Sequence, residues 1–141
     1  MALSETIKVR VRFSEVDSIK MVWHGNYVQY LEDAREAFGS KYGLEYMRFY
    51  ENGCLVPMYD LHLKYVKSAK AGDILAVKIT WEEVYGAKLI FKYDIRREID
   101  NELILTAESV QLFTSLDGEL MLLCPPFYEE WKQRWIEEAR K

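Results

Sequence analysis

Residues 12–27, Arg12-Phe13-Ser14-Glu15-Val16-Asp17-Ser18-Ile19-Lys20-Met21-Val22-Trp23-His24-Gly25-Asn26-Tyr27, bring carboxylate, imidazole, amide and aromatic side chains together in one short stretch. Asp17 falls in a polar loop, and His24 stands just ahead of a helix start, next to Trp23 and Tyr27. A helix N-terminus presents unpaired backbone N–H groups and a partial positive charge. Such groups polarise a carbonyl and hold the oxyanion formed when it is attacked. A carboxylate beside them can act as nucleophile or as general base. The same spacing also fits a plainer role, with Asp17 capping the loop through its own backbone and His24 a structural cap.

The helix that positions this loop is clear in the pattern. Tyr27, Tyr30, Leu31, Ala34, Ala37, Phe38 and Tyr42 recur at helical spacing, while Gln29, Glu32, Asp33, Arg35 and Glu36 take the opposite face. Asn26 reads as the N-cap, and Gln29 three residues on completes a capping-box pattern. Lys41 lies near the end, and Gly43 can supply the terminal turn. Glu32 and Arg35 read as a structural polar pair on or under the helix, and Glu15 as structural.

Around that helix the chain alternates. Ile7, Val9, Val11 and Phe13 oppose Lys8, Arg10 and Arg12 in a half-buried strand. A short helix is predicted over Glu45 to Glu51. One long strand is predicted from Leu55 to Val66, with Tyr59, Leu61, Leu63 and Tyr65 alternating against Asp60, His62 and Lys64. Strands follow at Ile74 to Val84, Leu89 to Ile95 and Leu103 to Leu116, and Glu119 to Leu123 is expected to return as a short strand. Phe127, Trp131 and Trp135 then sit four apart on a C-terminal helix. A strand, one long amphipathic helix and a meander of strands pack as an α+β fold, a curved antiparallel sheet of about five strands wrapped around the helix.

Composition narrows the function classes. The 141 residues are half apolar and 30% charged, and 19 basic against 23 acidic residues give a net charge of −4. That balance argues against a general nucleic-acid binder. Cys54 and Cys124 stand far apart and read as reduced core thiols. His24 and His62 are the only histidines, and no ligand cluster accompanies them, so no metal site is expected. Met1 to Lys8 has no apolar signal core, and the uncharged stretch Met21 to Leu31 is too short to span a bilayer. The expected location is cytoplasmic.

The segment from Phe13 to Tyr27 resembles the active-site signature of hot-dog-fold acyl-CoA thioesterases of the 4-hydroxybenzoyl-CoA thioesterase family. The pattern runs roughly aromatic-x-[ED]-x-D-x-x-G-x-V-[WY]-[HY]-x-x-Y. Phe13, Glu15, Asp17, Val22, Trp23, His24 and Tyr27 fit it, followed by Tyr30, Glu32, Ala34 and Arg35. Tyr65 to Asp73 is similar to the family's turn into a Gly-Asp pair, and the element order matches over essentially the whole chain. The family has a glycine where this sequence has Lys20, which implies a different loop conformation, a charge near the site or a side chain turned outward.

The resemblance implies one hot-dog domain over residues 1–141 that hydrolyses an acyl-CoA. Asp17 would attack the thioester or activate a water, and the His24 N–H would receive the oxyanion, with its imidazole orienting the substrate or moving a proton. Trp23, Asn26 and Tyr27 would line the substrate pocket. Coenzyme A belongs to the substrate, so no separate cofactor is expected. Protomers would pair side by side with active sites at the dimer interface, and two dimers would form a tetramer. A second function class is a non-catalytic hot-dog module that binds acyl-thioesters or a protein partner, and Lys20 is the feature that keeps it open. A dehydratase of the same fold ranks lower, because its histidine-centred, proline-bearing motif is missing.

Overall fold

Alternation makes every long strand one-sided. A computed structural model describes residues 3–140. The chain runs β1 (Ser4–Arg10), α1 (Asn26–Tyr42), α2 (Tyr46–Glu51), β2 (Cys54–Leu55), β3 (Met58–Tyr65), β4 (Ile74–Glu82), β5 (Lys88–Arg97), β6 (Leu103–Leu112), β7 (Thr114–Ser115) and α3 (Pro126–Arg140). Five strands form an antiparallel sheet in the order β1-β4-β5-β6-β3, and β2 pairs with β7 separately. Leu75, Val77, Ile79 and Trp81 on β4 are buried, as are Leu89, Phe91, Tyr93 and Ile95 on β5. Their apolar face needs a cover, and α1 supplies it with Tyr27, Tyr30, Leu31, Ala34 and Phe38. Each fully buried side chain of the size of Leu31 or Phe38 contributes about 1.5–3 kcal/mol. Gly43, with φ +77°, ends α1 in the left-handed turn that suits glycine.

Three predicted strands are corrected. Leu103 to Leu116 breaks at Phe113 into β6, in the main sheet, and β7, which pairs with β2. The stretch Leu55 to Val66 is split, because Pro57 has no N–H to continue a ladder; its carbonyl instead accepts from Leu112 N–H at 3.2 Å. Glu119 to Leu123 makes a single bridge, Leu120 to Thr114, rather than a strand. Leu122 and Leu123 are exposed there.

The C-terminal helix closes the end of the core away from the Asp17 loop. The Trp131 indole donates to the Tyr42 carbonyl at 2.6 Å, and the Trp81 indole donates to the Tyr128 hydroxyl at 3.0 Å. Phe127 meets Phe49, and Trp135 meets Tyr42 edge-on. Arg35 lies under α1, 2% exposed, with its guanidinium over the rings of Tyr46 and Phe91 at 4.9 and 5.0 Å. Its Nη1 donates to the Leu44 carbonyl at 3.2 Å, while Nε and Nη2 have no partner among the described residues. Burial holds its pKa below the ordinary arginine value. Glu32 accepts from the Tyr46 hydroxyl at 3.5 Å, so the expected Glu32–Arg35 pair is not made directly. Among the described residues no helix is long and apolar enough to cross a membrane.

Candidate active site

The loop before α1 is folded by its own hydrogen bonds and then braced from the sheet. A short 3₁₀ turn, Phe13–Glu15, leads into it. Asp17 N–H donates to the Met21 carbonyl at 2.8 Å, and Val16 bridges Val22. The Asp17 Oδ1 accepts from the N–H groups of Ile19 and Met21 at 3.0 and 3.3 Å, which fixes the carboxylate within the turn. Lys20 has φ +64°, the left-handed conformation that glycine adopts at little cost. The lysine therefore takes a glycine-type backbone geometry, and its side chain is exposed. A different loop conformation is not needed to fit it.

Glu15 acts as the loop's anchor. Its Oε1 accepts from Arg12 N–H at 2.8 Å and from the Tyr30 hydroxyl at 3.0 Å. Its carbonyl accepts from Trp23 N–H at 2.9 Å and from Asn26 Nδ2 at 2.7 Å. The Asn26 side chain is thus used on the loop, and Gly25 rather than Asn26 is the N-cap of α1. Gln29 donates to Asp33 at 3.1 Å instead of closing a capping box.

From the other side, the turn after β3 holds the loop in place. Val22 N–H donates to the Ala69 carbonyl at 2.9 Å, Met21 bridges Lys70, and the Tyr27 hydroxyl accepts from Ala69 N–H at 3.2 Å. The Tyr65 hydroxyl donates to the His24 carbonyl at 3.0 Å. At the helix start, Asn26 N–H turns back to Trp23 and Val28 N–H to Gly25. The His24 and Gly25 N–H groups take no backbone carbonyl among the described residues.

His24, Tyr27 and Tyr65 line one cavity of about 270 Å³, together with Val22 and the chain from Val66 to Ser68. The His24 ring lies 4.9 Å from Trp23 and 6.5 Å from Tyr65, centre to centre, and Tyr27 meets Tyr65 at 5.6 Å. Burial pushes the Tyr27 phenol above its ordinary pKa. Lys67 also lines the cavity, but its ammonium is paired with Glu102. Of the residues singled out in the sequence, His24 and Tyr27 share this cavity, and Trp23 packs on His24 at its edge. Asp17 is held in the adjoining turn, and Asn26 faces the loop. Tyr65 was missed as a site residue, although it ends the alternating series from Tyr59 and opens the turn into Gly72-Asp73.

A larger groove of about 1130 Å³ runs between β1 and α1, with Arg10, Arg12, Phe13 and Tyr30 among its walls, on the other side of the Tyr27–Tyr30 ring pair.

The sequence profile of the Thioesterase-like superfamily matches residues 11–134, a span that includes the loop, α1 and the whole meander. The chain belongs to this superfamily. It is 28% identical over 135 residues to YneP of Bacillus subtilis (strain 168), covering 95% of this chain and 96% of that protein. It is 26% identical over 125 residues to the 4-hydroxybenzoyl-CoA thioesterase of Pseudomonas sp. (strain CBS-3), covering 84% and 89%. The structure is similar to that of a DHNA-CoA thioesterase from Staphylococcus aureus, with TM-score 0.82 and 26% identity over 98% of this chain and 95% of the other. The solved structure of the Pseudomonas thioesterase gives a TM-score of 0.80 over 94% and 99% of the two chains. The sheet wrapped around α1 in this superfamily member is the hot-dog fold.

Proposed function

We propose that this superfamily member is an acyl-CoA thioesterase, which converts an acyl-CoA and water into a carboxylic acid and free coenzyme A. The observation that supports this reading is that His24, whose N–H takes no partner among the described residues, lines a cavity at the start of α1, next to the turn that holds the Asp17 carboxylate. A thioester carbonyl whose oxygen points at that N–H gains the donor that its developing oxyanion needs. Asp17 then serves in one of two ways. It adds to the carbonyl carbon and expels the coenzyme A thiolate, leaving an anhydride that water opens, or it takes a proton from the attacking water.

Trp23 and Tyr27 form the aromatic wall for the acyl group, and Asn26 acts by fixing the loop against the helix start. The thiolate is a good leaving group, so no dedicated acid is required. The relatives named for 4-hydroxybenzoyl-CoA and DHNA-CoA make aromatic acyl groups the first to try. Coenzyme A enters as part of the substrate, and no further cofactor takes part. The glycine-type backbone of Lys20 and its exposed side chain support the catalytic reading over a non-catalytic binding module.

The test is thiol release from a panel of aromatic and aliphatic acyl-CoAs, run beside Asp17→Asn. The amide oxygen of asparagine still accepts from Ile19 and Met21, so the loop is retained. Turnover is expected to fall by ~10²–10⁴-fold. A fully active Asp17→Asn protein removes Asp17 from the chemistry, and silence of the wild type across the panel removes the activity.

A further inference from the structure

The backbone of β1 is used by the sheet on one side only. Its odd-numbered residues turn to β4: the Leu3 carbonyl accepts from Trp81 N–H, and Val11 N–H donates to the Asp73 carbonyl, both at 2.9 Å. In an antiparallel ladder the residues between them point their N–H and carbonyl groups the other way. Side chains close both ends of that outer edge. Ser4 N–H donates to the Tyr42 hydroxyl, which itself donates to the Ser4 carbonyl, and Thr6 N–H donates to the Glu5 carboxylate. At the far end Arg12 N–H donates to the Glu15 carboxylate at 2.8 Å, and the Arg12 carbonyl accepts from Glu15 N–H at 3.0 Å. Between these closures the N–H and carbonyl groups of Lys8 and Arg10 have no protein partner among the described residues. Such an edge is a template for another strand.

The groove of about 1130 Å³ runs along this open stretch, and every residue from Ile7 to Phe13 lines it. Its two sides differ in chemistry. Ile7 and Val9 are half-buried against the core, and Phe13 is 77% exposed. The wall supplied by α1 carries Gln29 and Asp33, joined at 3.1 Å. Lys8, Arg10 and Arg12 alternate with the apolar residues on the exposed side. Lys8 is paired with Glu98, but Arg10 and Arg12 have no ion partner among the described residues. A second copy of β1 fits this edge poorly. Antiparallel registers centred on residue 8, 9 or 10 each set cations opposite cations, which is destabilising.

We propose that β1 takes up a short extended segment of a partner protein as an added strand, one in which acidic and apolar residues alternate. Strand addition draws affinity from main-chain hydrogen bonds and specificity from alternate side chains. The free N–H and carbonyl groups of Lys8 and Arg10 supply the first. Arg10 and Arg12 receive the carboxylates on the face that they share with the incoming strand, as opposite charges across a ladder stabilise it. The apolar residues then enter the groove beside Ile7, Val9 and Phe13, where Asp33 repels a carboxylate. About five residues of added strand, roughly 17 Å, fit between the two closures. Nothing in this pairing requires thioester chemistry.

The probe is a fluorescein-labelled Val-Glu-Val-Glu-Val-Glu-Val peptide, titrated against the full chain and followed by anisotropy, with a lysine-for-glutamate peptide beside it. The acidic peptide should bind saturably below about 1 mM, and the basic one should not. Arg10→Glu combined with Arg12→Glu should weaken the acidic peptide about tenfold and admit the basic one. Only one alternate set of amides in an added strand faces β1. N-methylation of the glutamates and N-methylation of the valines should therefore differ, one abolishing binding and the other tolerated. Lys8→Pro removes an N–H that no bond within the chain uses, at a position where an edge strand accepts proline. It should abolish peptide binding and leave urea unfolding little changed; if it does not fold, the methylated peptides decide alone. No binding up to about 1 mM, equal affinity of the two methylated peptides or a double reversal without effect overturns the added strand. An oligomer that falls apart on the double reversal puts a second copy on this edge, which overturns it as well.

Discussion

The Tyr65 hydroxyl donates to the His24 carbonyl at 3.0 Å across 41 residues of sequence. This bond ties the end of the edge strand to a residue that lines the cavity and is the proposed oxyanion donor. On the proposed mechanism it steadies the oxyanion donor without touching the substrate carbonyl. Tyr65→Phe keeps the ring and loses only the bond, which is worth about 0.5–1.5 kcal/mol. We expect kcat to fall roughly two- to tenfold on that scale, with unfolding stability lowered by no more than about the same 0.5–1.5 kcal/mol. An unaltered kcat would place the donor elsewhere.

Lys20 sits at φ +64° with an exposed side chain. A non-glycine residue in that conformation costs roughly 1–2 kcal/mol. Lys20→Gly relieves the strain but gives back part of the gain through the freer unfolded chain. The expected result is a rise in stability of up to about 1 kcal/mol with activity retained, read by urea unfolding and thiol release. A drop in stability would mean that the lysine side chain makes a stabilising contact in the assembled protein.

Arg35 is buried with two of its guanidinium nitrogens unpartnered. Replacing an incompletely paired buried charge by an apolar residue of similar length is often neutral or stabilising. Arg35→Met should therefore cost no more than about 1 kcal/mol for the lost Leu44 bond. Arg35→Ala empties the space between Tyr46 and Phe91 and should cost about 2–5 kcal/mol. Urea unfolding of both variants checks the pair, and equal losses would show that the charge itself is needed.

Burial raises the pKa of Tyr93, only partly offset by its Ser109 hydrogen bond, and pushes it up to about 12. The phenols of Tyr27, Tyr30, Tyr46 and Tyr128 shift in the same direction, each chiefly through burial. The unfolded chain, with ordinary tyrosine values near 10, releases these protons first. It therefore binds fewer protons than the folded state between about pH 10 and 12, and stability falls as pH rises through that window. The limiting slope is about 1.4 kcal/mol per pH unit for each such tyrosine. Unfolding at stepped pH, followed with tyrosinate absorbance, should show a shallow decline from about pH 9, where the thiols of Cys54 and Cys124, also raised by burial, begin to count, and a steeper loss above about pH 10.

Much of the frame was legible because local pattern and final burial agree. The alternation of Ile7 with Val9 and of Leu89 with Phe91 became sheet faces, and the Tyr27–Phe38 stripe became the buried side of α1. Where the pattern misled, a distant group had intervened. Asn26 has the right side chain for an N-cap, but the Glu15 carbonyl takes it, so the cap passes to Gly25. Pro57 breaks a run whose hydrophobicity is continuous. The loop position of Asp17 and the helix-start position of His24 could be read from neighbours in sequence. Tyr65 could not, because its role exists only once β3 has been laid beside the loop.

The Trp131 indole on the Tyr42 carbonyl has a bearing on biosynthesis. Tyr42 ends α1, and its partner is made 89 residues later. Translation at about 5–20 residues per second leaves that carbonyl and the far end of the core uncovered for roughly 5–20 s. The helix that presents His24 thus leaves the ribosome well before its far end is sealed. During that interval, the Tyr42 end of α1 is open to chaperones.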